Sequence, residues 1–323
     1  MTDRPSPAPP TVAVLIPTFD HGAIIRHAIR SVLAQTVAVH EVLVVGDGAP
    51  EITETTVAAL AAEDSRVRWF PHAKGERHGE VHRHRVLTDA CESDIVFYLG
   101  DDDLYLPDHV EQMLGALEDR DCVFGIDMPI RIDTGTPKGR VHDFGRARHR
   151  RELLNGPGRC GMTSFAHRLD SYRRLDIEWT TTPPGVNTDT YFFRKWVRAG
   201  ADMASLGAPT AIHFGSGGRR DVSAEDREAE VAAMARHLGD EGWRRRSLAD
   251  PLFTWARDVI IRHEAREDGA QQSLAEAEER ISQLETELRG AHRDLQSGRV
   301  AVRTLRRKLA ARMRPGSRPR VGG

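Results

Sequence analysis

Three consecutive carboxylates, Asp101-Asp102-Asp103, follow the apolar run Ile95–Leu99 and precede Leu-Tyr-Leu-Pro. Like charges this close repel, so such a cluster at a strand end is costly unless a cation offsets it. Hard divalent ions, Mg2+ or Mn2+, take oxygen ligands and are commonly shared with substrate phosphates. An isolated triplet also reads as an exposed acidic turn. Two further strand ends weigh against that: Asp47 follows a second apolar run in Gly46-Asp47-Gly48, and Pro17-Thr18-Phe19-Asp20 follows a third. Four histidines, His72, His78, His82 and His84, raise a zinc reading. His78 and His82 are four apart, as suits one helical face, but no cysteine or second spaced pair completes four ligands. A solvated or phosphate-facing basic segment with Arg83 and Arg85 accounts for them better.

These groups can act together only if the chain brings strand ends to one edge. From Thr11 onward, short apolar runs alternate with helix-period segments. Val12–Ile16, Val42–Val45, Val67–Phe70 and Ile95–Leu99 read as strands, the first as one covered on both faces. Between them, Ile24, Ile25, Ala28, Ile29, Val32 and Leu33 form a helical stripe, Val57–Leu60 lies on a second helix, and residues 80–92 read as a third. Pro107 is placed for the first turn of a helix carrying Val110, Met113, Leu114 and Leu117. The expected fold is α/β with a mostly parallel sheet flanked by helices. Such sheets bind ligands beyond the carboxyl ends of their strands.

Residues 130–220 are less regular, with loop-like stretches at 155–161 and 181–185 and a helix over Thr188–Ala199. From Ser223 the chain reads as helical, opening on Ser-Ala-Glu-Asp, a capping box with Asp in place of Glu. Leu274, Ala277, Ile281, Leu284, Leu288, Ala291, Leu295, Gly298, Val302, Leu305 and Leu309 recur at alternating steps of three and four. That period of 3.5 predicts a left-handed coiled coil over 263–312, and a homo-oligomer through it. A single amphipathic helix packed on the catalytic domain is the other reading.

In order and spacing, Val12–Asp20 (VAVLIPTFD), the helix with Ser31–Gln35, Glu41–Ala49 (EVLVVGDGA) and Tyr98–Asp108 (YLGDDDLYLPD) resemble glycosyltransferase family 2. The resemblance covers about residues 11–215. It implies a GT-A fold and inverting transfer of a sugar, hexosyltransferase-type, from a nucleotide diphosphate donor whose diphosphate carries Mn2+ or Mg2+. By position it places Thr18 and Asp47 at the nucleobase end of the donor and Asp101 at the ribose, with Pro17 and Asp20 also among the donor-binding residues. It places Asp102 on the metal with Asp103, and His213 as a third ligand. Arg83 and Arg85 stand where the family meets the diphosphate, and Asp189, in Asn-Thr-Asp-Thr-Tyr, is the expected general base. A helix-starting carboxylate is the plainer account of Asp189. Trp179, Thr163 and Ser164 fall in acceptor-side territory. Two positions depart from the pattern: Gly46 and Gly100 stand where many members carry aspartate.

The expected domains are a Pro-rich tail over 1–10, a donor half over 11–125, an acceptor half over 126–222, a helical extension over 223–262, the coil over 263–312 and a basic tail over 313–323. Two other functions fit less well. A sugar nucleotidyltransferase would want a Gly-rich, Arg-containing loop after the first strand, which PTFDH is not, and no Walker A sequence supports a kinase or ATPase. A non-catalytic dimeric scaffold with a vestigial domain draws on Gly46 and Gly100.

Cys91, Cys122 and Cys160 are odd in number and widely spaced, which excludes a disulfide scaffold and suits reduced, buried thiols. No apolar run approaches the roughly 20 residues that span a bilayer, and a cytoplasmic protein is expected. The formal charge of −2 gives no support for nucleic acid as a partner. It is unevenly spread. From Leu295 to the end stand nine basic residues and no acidic one, which leaves 37 basic against 48 acidic over the first 294. An acidic body thus carries a basic tail, able either to solubilise a coil end or to touch an anionic membrane from the cytoplasmic side.

Overall fold

In the computed structural model, described over residues 9–129, 142–156, 161–215 and 222–296, the chain forms two units, Met1–Ala256 and Arg257–Gly323. In the first unit, eight strands make one mixed sheet. They are β1 (Val12–Thr18), β2 (Glu41–Gly46), β3 (Val67–Phe70), β4 (Ile95–Tyr98), β5 (Leu104–Tyr105), β6 (Cys122–Pro129), β7 (Phe165–Arg168) and β8 (Met203–His213). Their order across the sheet is β3-β2-β1-β4-β7-β6-β8-β5. The first four are mutually parallel, β7 runs antiparallel to both β4 and β6, β6 and β8 are parallel, and β5 returns antiparallel on β8.

The continuous apolar runs follow from helices on both faces. On one face, Val12, Val14 and Ile16 pack with Val42, Val44, Ile95 and Phe97 under α1 (Ile25–Leu33), α2 (Glu51–Glu63) and α4 (His109–Leu117). Their alternates Ala13, Leu15, Leu43, Val45, Val96 and Tyr98 pack on the other face. There they meet α3 (Glu80–Asp89), α5 (Ala147–Asn155), α6 (Leu169–Arg174) and α7 (Thr188–Arg198). A strand buried on both faces has no polar positions to alternate with, so its run is unbroken. The second face is aromatic: Trp179 stacks on Phe192 at 3.6 Å between ring centres, and Trp196, Phe165 and Phe193 surround them. Large rings bury about 150–250 Å2 each, so this cluster dominates the core on that face.

The helices after residue 222 begin with α8 (Ala224–Ala235), whose cap Ser223 accepts from Asp226 N at 3.0 Å. Asp226 is too short to reach back to the Ser223 backbone as a capping-box Glu would; its carboxylate takes the Ser223 hydroxyl at 2.8 Å instead. Val231 of α8, with Leu238 and Leu248, packs on Ile24, Leu104, Met128, Ile212 and Phe214. After α9 (Glu241–Arg244), α10 runs from Asp250 to Gln296. On it Leu274, Ile281 and Leu288 are exposed by 61%, 57% and 56%. The expected coil beyond residue 296, the basic tail and Cys160 lie outside the described residues, while Cys91 and Cys122 are buried and free. No helix of the described residues is long and apolar enough to cross a membrane.

Candidate functional site

Strand order reverses at β1: its chain neighbour β2 lies on one side and β4 on the other. The two carboxyl ends leave a crevice there, where open α/β sheets bind ligands. Thr18 ends β1, and its hydroxyl donates to Asp101 Oδ2 at 2.6 Å, tying the β1 end to the turn after β4. His21, three residues on, donates from Nδ1 to Asp101 Oδ1 at 2.7 Å. Burial opposes the His21 charge, but that bond and the carboxylates of Asp101, Asp102 and Asp20 raise its pKa to about 9. Pro17 is half-buried in β1 and Asp20 is exposed beside it.

Asp103 is held differently. Because β5 pairs with β8 in the register Leu104 to Ile212, Asp103 lies beside His213. His213 Nδ1 donates at 3.0 Å to Oδ2 and 3.1 Å to Oδ1, Phe214 N donates to Oδ1 at 2.9 Å, and the Thr163 hydroxyl donates to Oδ2. Burial works against the Asp103 charge, yet these donors hold its pKa below the usual carboxylate range. Asp102, between the two anchored carboxylates, is 9% exposed and accepts no hydrogen bond from the described residues. Burial, then Asp103 and Asp101, pushes its pKa up. The triplet therefore holds two fixed carboxylates and one without a partner, which suits a cation: the residues present fit a divalent ion.

The two glycine departures have steric causes. A Cβ on Gly46 would stand 2.4 Å from the Trp69 ring, and one on Gly100 would stand 2.7 Å from Asp103 Oδ2. Gly100 N donates to Thr163 Oγ1 at 3.1 Å, so Asp103 and Thr163 fill the space an aspartate side chain would take.

Asp47, past the end of β2, is buried beneath the loop before α3. Lys74 Nζ donates to its Oδ2 at 2.7 Å and Gly75 N to its Oδ1 at 2.6 Å. Gly79 makes that closure possible: its φ is +71°, and a Cβ there would meet Asp47 Cβ at 2.8 Å. Lys74 also lies 5.0 Å over the ring of Phe19, which is exposed.

Asn187 caps α7 by accepting from Thr190 N at 2.9 Å, which sets Asp189 in the first turn. Asp189 Oδ2 accepts from Met162 N at 3.2 Å. Burial raises its pKa, and Arg83 is the strongest opposing influence. Arg83 is buried with its guanidinium 4.8 Å over Trp179, donates to His78 O at 2.7 Å, and leaves Nε unpartnered. Burial disfavours its charge, while Asp189, Glu80 and Asp47 favour it. Glu80 accepts from His78 N at 2.9 Å and Thr182 N at 3.2 Å, fastening the 179–185 loop to α3.

Of the residues expected at the site, Thr18 is bonded to Asp101 and Asp103 to His213, while Arg83 feels the charges of Asp189 and Asp47. Arg85 does not join them, being exposed on the outer face of α3. Trp179 is a core residue that supports Arg83 from below, its indole N–H donating to Tyr98 OH at 3.1 Å. Thr163 serves the Asp103 carboxylate, and Ser164 is buried with its hydroxyl unpartnered. The four histidines do not converge: His72 stacks on His82 at 4.3 Å, His78 is exposed, and His84 pairs with Tyr172 OH at 2.7 Å. Among the described residues, the metal-capable group is His21, Asp101 and Asp102. His21, Lys74, Glu80 and Thr163 carry no sequence signal of their contacts, because their partners lie 27 to 102 positions away.

An "Uncharacterized glycosyltransferase" of Rickettsia bellii is 33% identical over 115 residues, covering 36% of this chain and 16% of that protein. The GalNAc(5)-diNAcBac-PP-undecaprenol beta-1,3-glucosyltransferase of Campylobacter jejuni is 27% identical over 94 residues, 29% of this chain and 30% of that enzyme. The chain therefore spans well under two thirds of the length of these curated relatives. Among solved structures, S. aureus TarS 1-349 in complex with UDP-GlcNAc is similar at 13% identity and a TM-score of 0.46, covering 74% of this chain and 71% of that one. The pattern of the family described as "Glycosyl transferase family 2" matches residues 13–225, about two thirds of the sequence, and the chain belongs to that family.

Proposed function

We propose that this protein transfers a sugar from a nucleotide diphosphate sugar to an acceptor nucleophile, with inversion and with Asp189 as general base. The observation that carries the reading is this linked set of groups: Thr18 bonded to Asp101 in the triplet, and Arg83 under the charges of both Asp47 and Asp189. A bound Mn2+ or Mg2+ would neutralise charge on the departing diphosphate; Asp102 would hold it, beside Asp101 and Asp103. The acceptor O–H gives its proton to the Asp189 carboxylate while its oxygen bonds to the anomeric carbon. The bond from that carbon to the diphosphate breaks, and the electron pair leaves with the nucleoside diphosphate. Burial makes Asp189 a stronger base than an exposed carboxylate, and the Arg83 charge keeps it ionised for the task. Thr18, Asp47 and Asp101 would receive the nucleoside.

The scaffold reading loses its main support, since Gly46 and Gly100 are explained by Trp69 and Asp103 rather than by decay of a site. The exposed heptad positions Leu274, Ile281 and Leu288 fit a seam closed by a second copy of the chain. A panel of nucleotide sugars with Mn2+, scored for transfer and slow donor hydrolysis, tests the activity. In it Asp189→Asn is expected to lower turnover about 10²–10⁴-fold with donor binding kept. Near wild-type turnover in the folded variant removes Asp189 from this role.

A further inference from the structure

Where α8 packs beside α1, a cavity of about 510 Å3 opens. Every charged side chain on its wall is basic: His27 and Arg30 from α1, and Arg236 from the end of α8. Among the described residues no aspartate or glutamate lines it, so none of Asp47, Asp101–Asp103 and Asp189 belongs to it. Glu228 of α8 does not relieve these cations. It pairs with Arg26, and its Oε1 stays 4.0 Å from His27 Nε2, beyond hydrogen-bond reach. Arg30 and Arg236 are exposed and have no ion-pair partner among the described residues, and His27 Nε2 is buried without a hydrogen-bond partner.

Each arginine alone is accounted for by its helix end, where the dipole favours a cation: Arg30 is in the last turn of α1 and Arg236 is the C-cap of α8. Helix ends do not account for their meeting at one cavity with His27. Burial first, then the charges of Arg26, Arg30 and Arg236, lowers the His27 pKa, the mark of like charges brought together. An anion with several oxygens offsets such a set, and guanidinium groups take phosphate oxygens through paired, parallel hydrogen bonds. The cavity is larger than a bare phosphate needs and falls among pockets for small organic ligands, roughly 300–1,000 Å3. Beside the cations its wall is formed by Tyr105, Pro107 and Leu238, which suit a carbon skeleton. Tyr105 is fixed there, its N–H donating to Ser31 Oγ at 3.2 Å and its hydroxyl to Tyr98 O at 2.6 Å.

We propose that this cavity binds a phosphate ester, with Arg30 and Arg236 gripping the phosphate from the two helices and His27 as a third donor. The site is separate from the donor crevice and stands whether or not the transferase reading does.

Phenyl phosphate, titrated into the full-length protein, tests this, with phenylglyoxal modification of each arginine mapped by mass spectrometry. At about ten times its dissociation constant, the ester is expected to slow modification of Arg30 and Arg236 about tenfold and to leave the exposed Arg198 unchanged. Arg30→Gln and Arg236→Gln are each expected to weaken binding, read from protection of the remaining arginine, by about tenfold or more, because each removes hydrogen bonds between charged groups. His27→Leu is expected to weaken it as well, and an unchanged affinity would remove His27 from the site. Phosphatidylglycerol vesicles distinguish the source of the phosphate. Protection by phenyl phosphate but not by vesicles assigns a soluble ester. Protection by vesicles too, with cosedimentation lost in Arg30→Gln/Arg236→Gln, assigns a lipid headgroup. No protection at millimolar phenyl phosphate, equal protection by sodium chloride at matched ionic strength, or equal slowing at Arg198 overturns the site.

Discussion

Restoring the family's aspartate at position 100 is expected to damage this protein. Gly100 does not have a positive φ, so the obstacle is space rather than backbone strain. Even the Cβ of Gly100→Ala would stand 2.7 Å from Asp103 Oδ2, 3.2 Å from its Cγ and 3.4 Å from Thr163 Oγ1. Non-bonded contacts to carbon settle near 3.5–4.0 Å, so the Asp103 carboxylate must move by about 0.8 Å or more. It cannot swing freely, because Thr163, His213 and Phe214 N–H all hold it. Hydrogen bonds to a charged group contribute about 1.5–3 kcal/mol each, so losing two costs about 3–6 kcal/mol for Ala. Gly100→Asp adds the repulsion of a fourth carboxylate. For a domain of this size, about 2–4 °C of melting temperature accompanies each kcal/mol, giving a drop on the order of 10 °C. Calorimetry on the wild type, Gly100→Ala, Gly100→Asp, Asp103→Gly and the double variant Gly100→Asp/Asp103→Gly measures it. Moving the carboxylate from 103 to 100 is expected to recover at least 1 kcal/mol of the summed single losses. A Gly100→Ala protein melting within about 2 °C of the wild type, or strictly additive variants, would refute the steric argument.

Acid should weaken the fold through two buried histidines. Burial lowers the pKa of His109 to about 3 and of His167 to about 4, against an ordinary 6.5. The unfolded chain takes up these protons first as pH falls below 6.5, so the stability they contribute is complete above that value and is lost toward the folded pKa values. At about pH 5 each costs about 2 kcal/mol. His21, with its pKa raised to about 9, and Asp102, with its pKa raised to about 7, titrate in the opposite sense, so the loss is read by difference. The stability gap between wild type and His109→Asn in urea unfolding should fall by about 2 kcal/mol from pH 8 to pH 5, and an unchanged gap would exclude His109. The seam is checked by Ile281→Asp/Leu288→Asp, expected to dissociate the oligomer in sedimentation without changing the melting of the first unit. An unchanged sedimentation coefficient would mean that this face is not the interface.

The parallel half of the fold was legible in the sequence because burial on both faces writes itself as unbroken apolar runs. Val12–Ile16, Val42–Val45 and Ile95–Leu99 needed no partner to be read as strands. The second half was not. β6, β7 and β8 are interrupted by Gly125, Pro209 and polar positions, and β7 is held by antiparallel pairing to strands far away in the chain. Arg83 and Arg85 show the same limit at the scale of a helix. Two positions on a helix differ by about 200° in facing, so one is buried over Trp179 and the other is exposed.

The sequence by itself determined which carboxylates stand at strand ends, since an apolar strand must stop before it can carry charge. It also determined the heptad stripe, a local periodicity. What it left open was the choice of partner. Asp101, Asp102 and Asp103 are adjacent and chemically identical, and only the packed structure separates them. Register on β8 hands Asp103 to His213, the β1 end hands Asp101 to Thr18 and His21, and Asp102 receives no donor among the described residues. Hydrogen bonds are short-ranged and directional, so their partners are decided by which distant segments the sheet brings within about 3 Å. That distance is a property of the assembled sheet, not of the chain order.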